Sequence, residues 1–194
     1  MRTCLKFAAI FSATLAPALL FPTLSFADAP PAAPDRGVWQ KHQYSFVFMG
    51  FTSTYSCDGL ADKIKVLLTA AGARRDSKSR AGACASGFGR PDKFARAELT
   101  FYTLAPSTDA AAADGKPVDG TWRSVSFSAL KPRELGTGDC ELVEQFRSNV
   151  LPMFTTRNVV DRTTCVPHQE SGSAINLQFE SFAAAPGGSH APPP

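Results

Sequence analysis

The chain has 194 residues, 44% of them hydrophobic and 19% charged, and a formal net charge of +3. That length is enough for one domain with a proper core. So small a charge singles out no partner and gives no reason to expect nucleic acid.

Arg2 and Lys6 precede an apolar run over residues 7–24, and Ser25 and Ala27 occupy the −3 and −1 positions of a signal-peptidase site. The pattern predicts a secretory signal peptide over 1–27. Pro17 and Pro22 interrupt the run and no stop-transfer flank follows, which argues against a retained anchor. No later segment is apolar for long enough to span a bilayer. Cys4 would leave with the signal, and losing Arg2 and Lys6 brings the formal charge from +3 to +1. Four cysteines remain, Cys57, Cys84, Cys140 and Cys165, an even number that favours disulfides in an exported chain.

Residues 28–40 begin proline-rich and read as a flexible lead-in, with a single folded domain over 41–182. Residues 44–51 (YSFVFMGF) are apolar at nearly every position, the pattern of a central strand. Ser56 caps a helix whose stripe is Leu60, Ile64, Leu67, Leu68 and Ala71, and Gly72 stops it. Residues 74–84 carry little apolar material and predict an edge strand; a glycine-rich turn over 85–92 follows. Residues 94–104 alternate, with Ala95, Ala97, Leu99 and Phe101 facing in. Residues 106–120 have no periodicity and read as a linker between half-repeats 41–105 and 121–182.

The second half repeats the order. A strand is predicted over 121–128, then a helix capped by Thr137 or Asp139 with apolar positions Leu142, Val143, Phe146, Val150, Met153 and Phe154. Pro152 is expected to kink its last turn. Strands follow over 158–166 and 174–182, the latter with Ile175, Leu177 and Phe179 facing in. The tail over 183–194 is low in complexity and expected to be disordered.

Cys57 and Cys140 each open a helix, and Cys84 and Cys165 each end the strand after it. A helix of about 15 residues covers about 22 Å and a strand of about 7 residues covers about 23 Å, so each strand-end cysteine returns to its own helix N-terminus. The expected bridges are Cys57–Cys84 and Cys140–Cys165. A zinc site is not expected, because no C-x-x-C occurs and the spacings are wide. The fold class that follows is α+β, as two β-α-β-β repeats about a pseudo-two-fold axis. They would form one mixed sheet with two helices on one face.

The stretches Ser56-Cys57-Asp58-Gly59-Leu60, Asp139-Cys140-Glu141-Leu142-Val143-Glu144-Gln145, Thr155-Thr156-Arg157-Asn158-Val159 and Cys165-Val166-Pro167-His168 resemble a group of exported proteobacterial proteins. The resemblance covers about residues 44–182. It implies no activity.

Arg74, Arg75, Lys78, Arg80, Arg90, Lys93 and Arg96 concentrate positive charge, and the first five make a candidate surface for an anionic envelope component or an acidic protein face. Against this, alternation is expected to split the charges between two faces, leaving a solvated edge strand. Residues 82–90 lack the phosphate-loop signature and precede no helix. Gly136-Thr137-Gly138 does precede one, but Asp139 would repel an anion there. His168 is read as the only histidine within the folded halves and has no partner at ligand or nucleophile spacing, so a surface loop is expected. His42 and His190 are placed in or near flexible ends. Asp161 should point toward the covered side of its strand, with Arg157 or Arg147 as its ion partner. A perturbed acid at a site is the other reading of Asp161. No catalytic, metal or cofactor motif is present. The leading expectation is an exported binding module of unknown ligand. The alternatives are an envelope enzyme using Asp161 or His168, or an enzyme inhibitor inserting the 84–92 loop.

Overall fold

The structure is a computed structural model, and it describes residues 35–84, 90–92, 94–107 and 117–186. The expected signal peptide, most of the glycine-rich turn, the middle of the linker and the last residues of the tail lie outside the described residues.

Helix α1 (Cys57–Ala71) begins where Ser56 Oγ accepts the Gly59 amide (3.0 Å). It ends at Gly72, whose φ of 103° is left-handed and costs a residue with a Cβ roughly 1 kcal/mol. Leu60, Ile64, Leu67, Leu68 and Ala71 are all fully buried, as their spacing predicts. Helix α2 (Cys140–Asn149) buries Leu142, Val143 and Phe146, and Pro152 sits in the separate short turn Leu151–Met153. Its expected cap differs. Neither Thr137 nor Asp139 caps the α2 amides; the Asp139 carboxylate turns back to the Gly136 amide (2.6 Å) instead.

Among the described residues, six strands form one sheet: β1 (Asp35–Val47), β2 (Lys78–Ala81), β3 (Arg96–Pro106), β4 (Val118–Ser128), β5 (Thr156–Asp161) and β6 (Asn176–Ala184), in the order β2-β3-β1-β4-β6-β5. Every neighbouring pair is antiparallel, which corrects the expected mixed sheet. The physical reason is the position of β3. It folds back between β1 and β2, so the two strands joined by α1 never touch; β6 stands likewise between β4 and β5. The architecture is α+β.

β1 starts at Asp35 and ends at Val47, earlier at both ends than the apolar run predicts. Its polar residues 40–43 are held by a full ladder to β3, which propensity along one strand does not reveal. The lead-in therefore cannot extend to residue 40, and the sheet likewise keeps Ala183 and Ala184 out of the tail. The halves meet where Asp35–Gly37 pairs with Val118–Gly120. There the Phe182 ring lies so close to Gly120 that a Cβ at this position would collide with it.

Pairing divides the sheet into two faces. The inner face carries Phe46, Ala97, Leu99, Phe101, Val125, Phe127, Leu177 and Phe179, all buried against both helices in one cluster. Both disulfides join a helix N-terminus to the segment beyond the next strand: Cys57–Cys84 with Cα atoms 6.2 Å apart and Cys140–Cys165 at 5.6 Å.

Candidate functional site

The outer face of β2, β3 and the C-terminal part of β1 brings together charges that lie far apart in sequence. Lys78 pairs with Thr100, Arg80 with Glu98, Lys41 with Tyr102, and Val47 with Arg96. Residues opposite one another share a face, so Lys41, Lys78, Arg80 and Arg96 all point outward beside one carboxylate, Glu98. Glu98 accepts the Ser45 hydroxyl (2.8 Å). All four cations are exposed, and none makes an ion pair among the described residues. Of the five cations in the candidate surface read from sequence, Lys78 and Arg80, two residues apart, stand on this sheet face.

Arg74 has a different role. Its guanidinium is 7% exposed, lies 3.6 Å from the Tyr102 ring centroid and 5.6 Å from that of Trp39, and binds Asp76 through Nε and Nη2 (2.7 and 2.8 Å). The Arg74 hydrogen bond holds the Asp76 carboxyl below its usual range. Arg74 is spent on structure. Arg75 is exposed in the adjoining turn, and Arg90 is exposed in the segment before Asp92, off the sheet. Sequence reasoning missed Lys41, and it counted Arg96 among the basic residues of 74–96 without naming it in the candidate surface. The signal was available in the strict alternation of Trp39, Lys41, Gln43 and Ser45 against His42, Tyr44 and Phe46.

The second half presents a different outer face. Ser124, Ser126 and Gln178 floor a groove of about 290 Å³ that Lys131, Asn158 and Val160 edge. Arg157 stacks 4.1 Å from the Trp122 ring centroid and binds Glu180 (2.5 Å), which keeps the Glu180 carboxyl below its usual range.

A polar junction joins the two halves where the helices begin. Asp139, 5% exposed, receives the Tyr55 hydroxyl and an ion pair from Lys63 (2.7 Å). Burial, followed by the Asp139 hydrogen bond, raises the Tyr55 pKa, so the phenol stays a neutral donor. Glu141, 7% exposed, accepts the amides of Phe51 (2.8 Å) and Thr52 (3.1 Å). Gln145 accepts from Met49 N (3.1 Å) and donates to Met49 O (2.7 Å). These groups satisfy one another and clamp the β1–α1 loop to α2. The open cleft of about 520 Å³ beside them is lined by Tyr55, Lys63, Arg133, Asp139 and Glu170.

Asp161 and His168 are not brought together in either cleft. Asp161 pairs with Arg147 (3.1 Å), one of its two expected partners, while Arg157 turns to the outer face. A bulge between Arg157 and Val160 resets the alternation, so Val159 and Val160 are both exposed. His168 is exposed at φ 64° and meets Phe51 edge-on, ring centroids 5.6 Å apart. His42, expected near a flexible end, lies within β1 instead, stacked on Phe101. Its Nε2 lies 2.8 Å from Thr103 Oγ1, which itself donates to Met153 O (3.0 Å). Among the described residues, no group of His, Cys, Asp or Glu could hold a metal ion. Among them also, no helix is long and apolar enough to cross a membrane. Compared with known proteins, the chain matches no family model, no curated protein and no solved structure.

Proposed function

We propose that the chain is an exported binding module whose outer sheet face, in its first half, recognises an anionic envelope component through Lys41, Lys78, Arg80 and Arg96. The observation that carries this reading is the position of Lys41 and Arg96. Charge on β2 could serve only to keep an edge strand from pairing, but β1 and β3 are interior strands that need no such protection. Lys78 and Arg80 stand two residues apart on β2, while the register sets Lys41 and Arg96 six residues, about 20 Å, apart along the sheet, so the four charges form a stripe that an extended polyanion or a charged surface meets along its length.

Export is supported by the leader pattern and by two disulfides of the kind that oxidising compartments retain. The matching strand orders, β2-β3-β1 and β5-β6-β4, support reading the halves as a repeat. The test is retention on heparin, an anionic polysaccharide, across a sodium chloride gradient. The processed chain should elute well above physiological salt, and the combined Lys41→Gln, Lys78→Gln, Arg80→Gln, Arg96→Gln variant should flow through. Equal elution of the two would sink the reading.

A further inference from the structure

The β1–β3 ladder continues past Val47 and Arg96. The Phe48 amide donates to Ala95 O (2.9 Å), and Met49 and Phe94 are the next residues beyond this last contact. Phe48 and Ala95 follow the inner face and are buried, at 1% and 0% exposure. Met49 and Phe94 follow the outer face and are 56% and 52% exposed. Phe51 is exposed at 63% in the same loop. Large apolar side chains half exposed in this way forgo about 1 kcal/mol each relative to full burial. The loop is not slack enough to fold Met49 and Phe51 away. Gln145 grips the Met49 backbone on both its polar groups, and Glu141 takes the next two amides after Gly50.

The four cations thus end, at one edge of their face, in a fixed apolar rim. A soluble polyanion would engage the cations and leave the rim in water. An anionic lipid surface engages both, since headgroup phosphates meet the cations and the acyl boundary receives the rim. Stable reversible attachment to membranes commonly needs two such signals. We propose that this face docks peripherally on an anionic lipid surface, with Met49 and Phe94 entering the headgroup–acyl boundary. The inference rests on the anionic recognition proposed above and names the source of the charge.

Co-sedimentation with vesicles of phosphatidylglycerol and phosphatidylethanolamine, against phosphatidylcholine vesicles, at physiological salt, tests it alongside heparin retention. The processed chain should bind the anionic vesicles at least tenfold more tightly than the zwitterionic ones. The Met49→Ser, Phe94→Ser variant should lose about tenfold or more of vesicle affinity, roughly one side chain's transfer energy, while eluting from heparin unchanged. Met49→Trp should bind at least as well and show blue-shifted emission on anionic vesicles only. Heparin retention without vesicle binding overturns the lipid inference and leaves anionic recognition standing. Loss of both in the unaltered chain removes the two together. A serine variant that binds vesicles like the parent, or a Met49→Trp variant whose emission does not shift, overturns insertion of the rim.

Discussion

Each half of the sheet sets an arginine over an aromatic ring on the outer face and pairs it with a carboxylate, yet the two surfaces differ. Arg74 is 7% exposed and lies between two aromatic rings and Asp76; Arg157 is 50% exposed over Trp122. Around Arg74 the strands add four cations that have no ion pair among the described residues. Around Arg157 they add serine and glutamine hydroxyls and amides over a groove. The same strand order therefore supports a charged plate in one half and a neutral groove in the other. Outward positions of a sheet are free to diverge because they do not share in packing the core.

The largest effect that could break the comparison is on affinity for anionic vesicles. Each lysine or arginine near an anionic surface contributes about 1 kcal/mol, so the fourfold glutamine variant should lose roughly a thousandfold. Lys131→Gln with Arg157→Gln, in the second half, should change the same affinity by less than about threefold, since Arg157 is already neutralised by Glu180 and Lys131 lies away from the four cations. Comparable losses in the two variants would place recognition on both halves.

The disulfides come next. Replacing either cysteine pair with serine should lower unfolding free energy by about 3 kcal/mol on chain-entropy grounds, because the sequence separations, 27 and 25, are nearly equal. Denaturant titration of both double variants checks this. A marked inequality would mean that one half holds its shape without its bridge.

The arginines themselves give a smaller contrast. Arg74→Ala removes a buried, doubly hydrogen-bonded, ring-stacked cation and should cost about 2 kcal/mol. Arg157→Ala should cost less than about 1 kcal/mol, as exposed pairs do. Thermal midpoints of the two variants test the ranking.

The smallest effect concerns pH at His42, on the inner face beside Phe101. Burial lowers its pKa from the ordinary 6.5, so the folded state binds its proton less readily than the unfolded chain does. Its contribution to stability is complete above pH 6.5 and is lost progressively as pH falls below that value. Thermal midpoints between pH 7.5 and pH 5 should fall less steeply in His42→Gln than in the parent. Identical slopes would show that this ring does not govern acid stability.

Much of the architecture is legible from local signals. Ser56, the Leu60–Ala71 spacing and Gly72 define α1 because caps and helical stripes act within a few residues. The inward alternation of Ala95–Phe101 and Ile175–Phe179 is equally local. The cysteine pairing follows from element lengths alone. Other features depend on partners distant in sequence. Residues 40–43 become strand through β3, and the 158–159 bulge exposes Val159 although Asp161 still stands opposite Leu177 on the covered side, as its alternation predicts. Asp139 leaves its expected cap because Tyr55 and Lys63 arrive from the other half.

The candidate face belongs to this second group. Local pattern alone shows that residues 74–96 are rich in lysine and arginine, that four cysteines can pair within halves, and that the elements combine as α+β. Folding settles which charges share a surface, because register across β2, β3 and β1 sets neighbours that no spacing along one strand encodes. It removes Arg74 into a buried pair and sets Lys41, from outside that stretch, on the face that carries Arg96. It also leaves Met49 and Phe94, 45 residues apart in sequence, exposed just beyond the last contact between β1 and β3.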